Sequence, residues 1–490
     1  MLKMKPISSW LTALLLLTSA MPGSSGSLFS QEPGFRVTFT KKGLDYVFGP
    51  VLRDGLLQLS IPDIQEENKV KVVGKVKYYL TEITVGDVGV PSTSLEARDD
   101  QLMRIHISGM SLAMHAKWKY KQKSWPKIGD DGTVDLKAKD MSLSQTVSVR
   151  NDGSGRLVVL AADCSFDVRK ISVKFHGGAS WLYNLFTSFI EGKIKDHLRS
   201  QVCKMVTGKI NEFGKELPTT LPVSIQVSDG VEVSCAILGD PVLSSSYLLT
   251  NHDGEFMSAE HSQEVPISPA SLPAASSVDP TSKMVFIWLT SYTFDTAAYI
   301  YKGAAYMDYS IKNEEVPNVL LKTTADYKSI VPELYRRFPN KDVEYIMETK
   351  QPPSLLLSRG QARIVGEAEA SILVVESGVT PQLAFSLTVS VQCDVEFEIQ
   401  TRSSGQVIAG DITSFTTEIS NIDSVIGEID PTPFQELLHT MVQFMAIPHI
   451  NRILNAGLAI PSRSGLAATD TTITIEEGYI LVGADLSYSL

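Results

Sequence analysis

The sequence predicts an α+β protein of two similar domains, each a twisted antiparallel sheet carrying two long helices, and three observations lead there. A strand followed at once by a helix occurs twice, as GFRVTFTKKGLDYV from Gly34 and as MVFIWLTSYTFDTAAYIY from Met284. Strand-rich sequence follows each copy, and then a long apolar helical stripe. The interval from opening strand to stripe is 146 residues in the first half (Phe35 to Trp181) and 149 in the second (Val285 to Phe434). Between the halves, residues 251–283 turn to Ser, Ala and Pro with little periodicity, the composition of a linker. Two copies of one domain, residues 27–250 and 284–490, explain the pattern economically.

The elements follow in order. Lys3 and Lys5 precede an apolar run from Trp10 to Leu17 and small residues up to Gly26. This is the layout of a secretory signal peptide over residues 1–26, too short to span a bilayer, and it predicts an exported protein. Phe35, Val37 and Phe39 alternate as a strand, and Leu44, Phe48 and Leu52 suit a helix face with Pro50 as an irregularity. In ADCSFDVRKISVKF, Phe166 and Val168 alternate in one register and Ile171, Val173 and Phe175 in another, which predicts a bulge near Arg169 and Lys170. From Trp181 to Phe213 apolar residues recur at mostly four-residue steps, each gaining about 40° on an α-helix, so the helix is expected to curve or break at Gly192 or Gly208. The second half repeats this with a helix from Phe434 to Leu454, kinked at Pro448. On these stripes Trp181, Phe186, Phe189 and Ile190 in one half, and Phe434, Met441, Phe444 and Met445 in the other, are candidates to line an elongated apolar cavity for lipid chains.

An exported chain admits disulfides. Of four cysteines, Cys164 and Cys203 share one strand-helix unit and are expected to be bonded, leaving Cys235 and Cys393 as buried thiols. Charge is unevenly spread: residues 27–250 hold 28 Lys and Arg against 25 Asp and Glu, and residues 251–490 hold 14 against 30.

Catalytic signatures are missing: no His-Glu-x-x-His, no Gly-x-Ser-x-Gly, no Cys-x-x-Cys and no phosphate-cradling glycine loop. The expectation is a binding protein with no cofactor or metal. The distinctive surface is basic. In KWKYKQKSWPK, Lys117, Lys119, Lys121 and Lys123 take alternate positions, so on a strand they project from one side and Trp118 and Tyr120 from the other. Lys69, Lys71, Lys75 and Lys77 alternate likewise with Val70, Val72, Val76 and Tyr78, and Trp125 and Lys127 fall where the chain turns. Together these residues would make a cationic tip for phosphorylated glycolipid or an anionic membrane surface, where each nearby lysine contributes about 1 kcal/mol and Trp sits well at the interface. Single-stranded nucleic acid would fit the chemistry, but export argues against it.

GFRVTFTKKGLDYV, WLYNLF, SQVC, the Pro-rich centre, MVFIWLTSYTFDTAAYIY and the closing YILVGADL, in that order from Gly34 onward, resemble the family of bactericidal/permeability-increasing protein and lipopolysaccharide-binding protein. The resemblance implies a boomerang of two barrel-like domains joined by a central sheet, with a phospholipid pocket in each. It also implies that the tip engages lipid A of bacterial lipopolysaccharide, with basic residues on segments similar to Lys69 and Lys75 and to the run from Lys117 to Lys127; Lys71, Trp118 and Trp125 join them as candidates on the reading of the residues alone. The acidic total keeps a second branch open, extracellular transfer of phospholipid or neutral lipid.

Overall fold

The structure, a computed structural model, describes residues 32–488 apart from 71–73, 92, 99–100, 124, 126, 178–182, 221, 229, 259–264, 305–306, 313–321, 324, 403–404 and 460–465. The signal segment, Lys71 and Trp181 lie outside the described residues, as do the side chains of Phe186 and Met445. The first half runs β1 (Phe35–Thr40), α1 (Lys41–Leu57), β2 (Ile64–Val70), β3 (Gly74–Gly89), β4 (Thr93–Arg98), β5 (Leu102–Gln122), β6 (Gly129–Asn151), β7 (Leu157–His176), α2 (Tyr183–Thr220), β8 (Ser224–Ser228), β9 (Val231–Ser234), β10 (Val242–Leu243), β11 (Tyr247–His252) and β12 (Phe256–Ser258). The second runs β13 (Val285–Thr290), α3 (Ser291–Gly303), β14 (Tyr309–Ile311), α4 (Ala325–Ile330), α5 (Pro332–Arg337), β15 (Asp342–Ser358), β16 (Gln361–Val375), β17 (Gln382–Arg402), β18 (Gly405–Ser424), α6 (Pro431–Met441), α7 (Ile447–Ala456), β19 (Leu458–Ala459), β20 (Leu466–Glu476) and β21 (Tyr479–Tyr488).

The repeat is real. Each half has an opening strand and helix, an antiparallel meander, β2-β3-β5-β6-β7 or β14-β15-β16-β17-β18-β19, and a closing helical segment. The opening strands meet in a third sheet of order β10-β11-β1-β13-β21-β20, where β1 and β13 pair antiparallel with Val37 opposite Ile287. Its ends are tied reciprocally: Thr40 N donates to Met284 O at 3.0 Å and Thr290 N to Gly34 O at 3.1 Å. Thr40 also caps α1, accepting from Gly43 N at 3.3 Å. A side chain at Gly43 would lie 2.5 Å from Met284 O, so glycine is what lets α1 start against the other half.

The first core forms under α2. Ile190, Ile194, Leu198 and Val202, at four-residue steps, are 4, 0, 0 and 0% exposed against the inner face of the meander, where Leu136 and Met141 are fully buried. Burying each such side chain stabilises the fold by roughly 1.5–3 kcal/mol. The expected disulfide is present: Cys164 on β7 and Cys203 on α2 are bonded with Cα atoms 5.7 Å apart, while Cys235 and Cys393 are free thiols. Burial pushes both thiols up to about 11, which makes them poor nucleophiles.

Several local expectations change. Helix α2 continues unbroken through Gly192 and Gly208, because its middle four turns are held down by the core and the disulfide. Arg169 and Lys170 are both exposed, but no residue is inserted there; β6 switches phase opposite them at Asp140 (φ 52°), and the register shift falls between Gln145 and Val147 instead. Residues 251–258, read as linker, complete β11 and form β12, which pairs with β9. In the second half the helix is divided by a π-helical turn, Val442–Ala446, immediately before Pro448. Proline lacks the N–H that a continuous helix would direct to residue 444.

His252, at the end of β11, stacks on Phe35 with ring centroids 4.5 Å apart. Its Nδ1 donates to Cys235 O at 2.8 Å and its Nε2 lies 2.8 Å from Thr250 Oγ1. Desolvation pushes it down from 6.5 to about 4, so the folded chain holds it neutral where the unfolded chain takes a proton. The unfolded state therefore binds more protons between about pH 6.5 and 4, and stability falls as pH is lowered through that window. The expected loss is up to about 3 kcal/mol, seen in urea unfolding across this range. An unchanged slope in His252→Gln would contradict the assignment.

Candidate functional site

The basic residues of the first half gather at one end of its meander because register places them side by side. Lys69 lies opposite Lys75 on β2 and β3, Lys77 opposite Lys121 on β3 and β5, and Tyr79 opposite Lys119. Lys123 N donates to Lys75 O at 2.8 Å, and Gln122 N closes the β5–β6 loop on Ile128 O at 2.8 Å. Lys69, Lys75, Lys117, Lys119, Lys121, Lys123 and Lys127 are all exposed. On the loop, Trp125 is 91% exposed and Ile128 47%, an apolar point set among cations.

Not every lysine is equally available. Lys117 Nζ is 2.7 Å from Glu82, Lys119 Nζ is 3.9 Å from Asp131, and Lys123 is paired with Glu67, whose carboxyl its hydrogen bond holds below the usual range. Lys77 lies 5.2 Å over the Tyr79 ring. Among the described residues, Lys69, Lys75, Lys121 and Lys127 have no carboxylate oxygen within 4.0 Å. The tip that sequence presents as a uniform row is therefore interleaved with acids, and these four, with Lys77, are its lysines outside any ion pair among the described residues.

Trp118 does not belong to this surface. It is 6% exposed on the inner side of β5, stacks on Tyr120 with centroids 6.1 Å apart, meets Phe175 edge-on at 5.6 Å, and donates Nε1 to Thr133 O at 3.1 Å. Strand alternation that exposes Lys117 and Lys119 requires this, so Trp118 closes the core beneath the tip rather than touching a ligand.

The residues expected to line lipid cavities are dispersed. Ile190 (4% exposed), Phe434 (1%) and Met441 (5%) are packed in cores, and Phe189 stands edge-on to Tyr78 at 4.5 Å. Phe444 leaves that face and is 72% exposed, because the π-helical turn takes about one residue more per turn and rotates it out of phase. The apolar face that sequence analysis missed is on α7. Ile447 and Leu454 lean on the core around Ile364, Val395 and Ile408, yet no residue of α7 is buried and Ile453 is 61% exposed. A groove of about 460 Å³ between α6 and β18 is lined by Phe415, Thr416, Thr417, Gln435, Glu436, His439 and Thr440.

The model of the LBP / BPI / CETP family, N-terminal domain, matches residues 43–213, and that of the LBP / BPI / CETP family, C-terminal domain, matches residues 226–488. The chain belongs to the LBP / BPI / CETP family. The chain is similar along almost its whole length to the bactericidal permeability-increasing protein of Sebastes schlegelii, at 26% identity over 94% of this chain and 96% of that one. The lipopolysaccharide-binding protein of Homo sapiens is 25% identical over 97% of both chains. A crystal structure of lipopolysaccharide binding protein superposes with a TM-score of 0.67 at 23% identity, covering 93% of this chain and 99% of that one. The LBP / BPI / CETP fold thus accounts for both lobes and the sheet between them. Among the described residues no helix is long and apolar enough to cross a membrane.

Proposed function

We propose that the chain is a secreted lipid-binding protein of innate defence that takes the phosphorylated lipid A of bacterial lipopolysaccharide at its first-lobe tip. The observation that carries this reading is the group of carboxylate-free lysines, Lys69, Lys75, Lys121 and Lys127, around a Trp125 that is 91% exposed. Cations gather phosphates and an exposed indole settles at the membrane interface. The printed names of the relatives, bactericidal permeability-increasing protein and lipopolysaccharide-binding protein, point the same way. Acyl chains of bound phospholipid would lie along the uncovered apolar face of α7 in the second lobe.

A second reading, extracellular transfer of phospholipid or neutral lipid, is favoured by the small cationic excess of the first half, 28 against 25, and by the face of α7. Organic-solvent extraction of the purified protein with mass spectrometry separates the two. Phospholipid in the extract, exchanged for lipopolysaccharide on incubation, supports the leading reading; neutral lipid that lipopolysaccharide does not displace supports transfer. An extract empty of acyl lipid contradicts both.

A further inference from the structure

The tip does not end the basic surface. Strand β5 carries it down the outer face of the meander, where His115 follows Lys117 and pairs with Asp135 on β6, which in turn lies opposite Lys174 on β7. His115 Nδ1 is 2.9 Å from Asp135 Oδ1, and His176 Nε2 is 2.8 Å from Asp135 Oδ2. One carboxylate is thus shared by two imidazoles from the strands on either side of it. All three side chains are open to solvent, at 55, 44 and 42% for His115, Asp135 and His176.

Beyond this trio lie Lys137, Lys139, Lys170 and Lys174, all exposed. Lys139 stands directly opposite Lys170, a pairing of like charges that weakens a sheet. Among the described residues none of the four has a carboxylate oxygen within 4.0 Å. Asp135 is therefore the acid that divides this patch from the tip, with Lys117 and Lys119 above it already paired to Glu82 and Asp131.

We propose that the outer face of β5, β6 and β7 is a second docking face for anionic phospholipid membranes, and that the His115–Asp135–His176 trio strengthens it at acid pH. Histidine is the side chain whose charge changes between about pH 5 and 8. With both rings neutral the trio carries one negative charge between two cationic patches. With both protonated it carries one positive charge, and the trio joins the patch of Lys137, Lys139, Lys170 and Lys174 in sign. The charged groups around the trio are Lys117 on β5, Asp131 and Lys137 on β6, Lys174 on β7, and Glu82 and Asp87 on β3, where Thr84 is His115's cross-strand partner. The hydrogen bonds from His115 and His176 also hold the Asp135 carboxyl below the usual carboxylate range. Acid binding through this face does not need the tip to recognise lipid A.

Co-sedimentation of the full chain with vesicles of phosphatidylcholine and phosphatidylglycerol, at about pH 7.5 and about pH 5.5, tests it. Wild type is expected to bind roughly thirtyfold more tightly at the lower pH, as two added charges near the surface imply. His115→Gln with His176→Gln, which keeps a donor to Asp135, should abolish that rise while leaving binding at pH 7.5 in place. Asp135→Asn should raise binding at pH 7.5. Changing Lys137, Lys139, Lys170 and Lys174 to Ala should weaken binding at both pH values, whereas changing Lys69, Lys75, Lys121 and Lys127 to Ala should leave the acid increment. An increment that survives the double histidine change, or a four-lysine variant of the outer face that binds like wild type, overturns the proposal. So does a pH-dependent affinity for heparin without one for vesicles, which would make the face a polysaccharide site. Circular dichroism of each variant at both pH values confirms that the fold is intact, and the single change His115→Gln, expected to halve the increment on a logarithmic scale, stands in if the double variant fails to fold.

Discussion

Changing Lys69, Lys75, Lys121 and Lys127 together to alanine is expected to weaken binding to lipopolysaccharide vesicles at low salt by about 4 kcal/mol, roughly a thousandfold. About 1 kcal/mol is taken for each lysine near an anionic surface, for the four exposed lysines with no carboxylate oxygen within 4.0 Å among the described residues. The same number of charges removed from α2, by changing Lys195, Lys204, Lys209 and Lys215 to alanine, should cost far less, because those side chains sit along the helix and not at the tip. Changing Lys117, Lys119 and Lys123 should fall between, since each already has an acidic partner. Added salt should erode wild-type affinity, as screening shortens the reach of the tip to roughly 8 Å at physiological ionic strength. Folding stability of the tip variant should stay within about 0.5 kcal/mol, the ordinary range for exposed positions. Equal losses from the tip and helix sets would mean that bulk charge, not the tip, draws the protein to the lipid.

Replacing Cys164 and Cys203 by serine is expected to destabilise the first lobe by roughly 4 kcal/mol, since the bond closes a loop with a sequence separation of 39. It pins the middle of α2 to β7, next to the buried Leu198 and Val202. The second lobe has its own cores, around Phe385 and Phe434 and around Ile364 and Val482, without a disulfide among the described residues. Urea unfolding followed by residue-resolved hydrogen exchange should therefore show protection lost first in β5, β6, β7 and α2, while β16 and β17 hold. A uniform loss over both lobes would mean that they unfold as one unit across the central sheet.

Much of this architecture was legible because the repeat writes itself twice: strand Phe35–Thr40 with α1, and strand Val285–Thr290 with α3, have the same order and a threonine, Thr40 or Thr290, at the start of each helix. The disulfide was legible because its cysteines frame one strand and one helix. What strand alternation could not reveal is which side chain lies across from which. Glu67, Glu82 and Asp131 are distant in sequence from the lysines they neutralise, and only register brings them together. Trp118 was kept among the tip residues as an aromatic neighbour of the lysines, although the alternation that exposes Lys117 sends it to the inner face. Phe444 was misplaced because a helix read at 3.6 residues per turn cannot foresee a π-helical turn ahead of Pro448. The linker was drawn too early since Phe256–Ser258 is short, and its pairing with Val231–Val233 is set by contacts elsewhere in the chain.

Recognition of lipid phosphate by the tip is the central claim, and one comparison meets it most directly: affinity of the wild-type chain for vesicles carrying lipid A, against the same vesicles after enzymatic removal of the lipid A phosphates. The account predicts that dephosphorylation weakens wild-type binding about as much as removal of Lys69, Lys75, Lys121 and Lys127 does, and that the tip variant no longer distinguishes the two lipids. Equal binding of wild type to phosphorylated and dephosphorylated lipid A would contradict it.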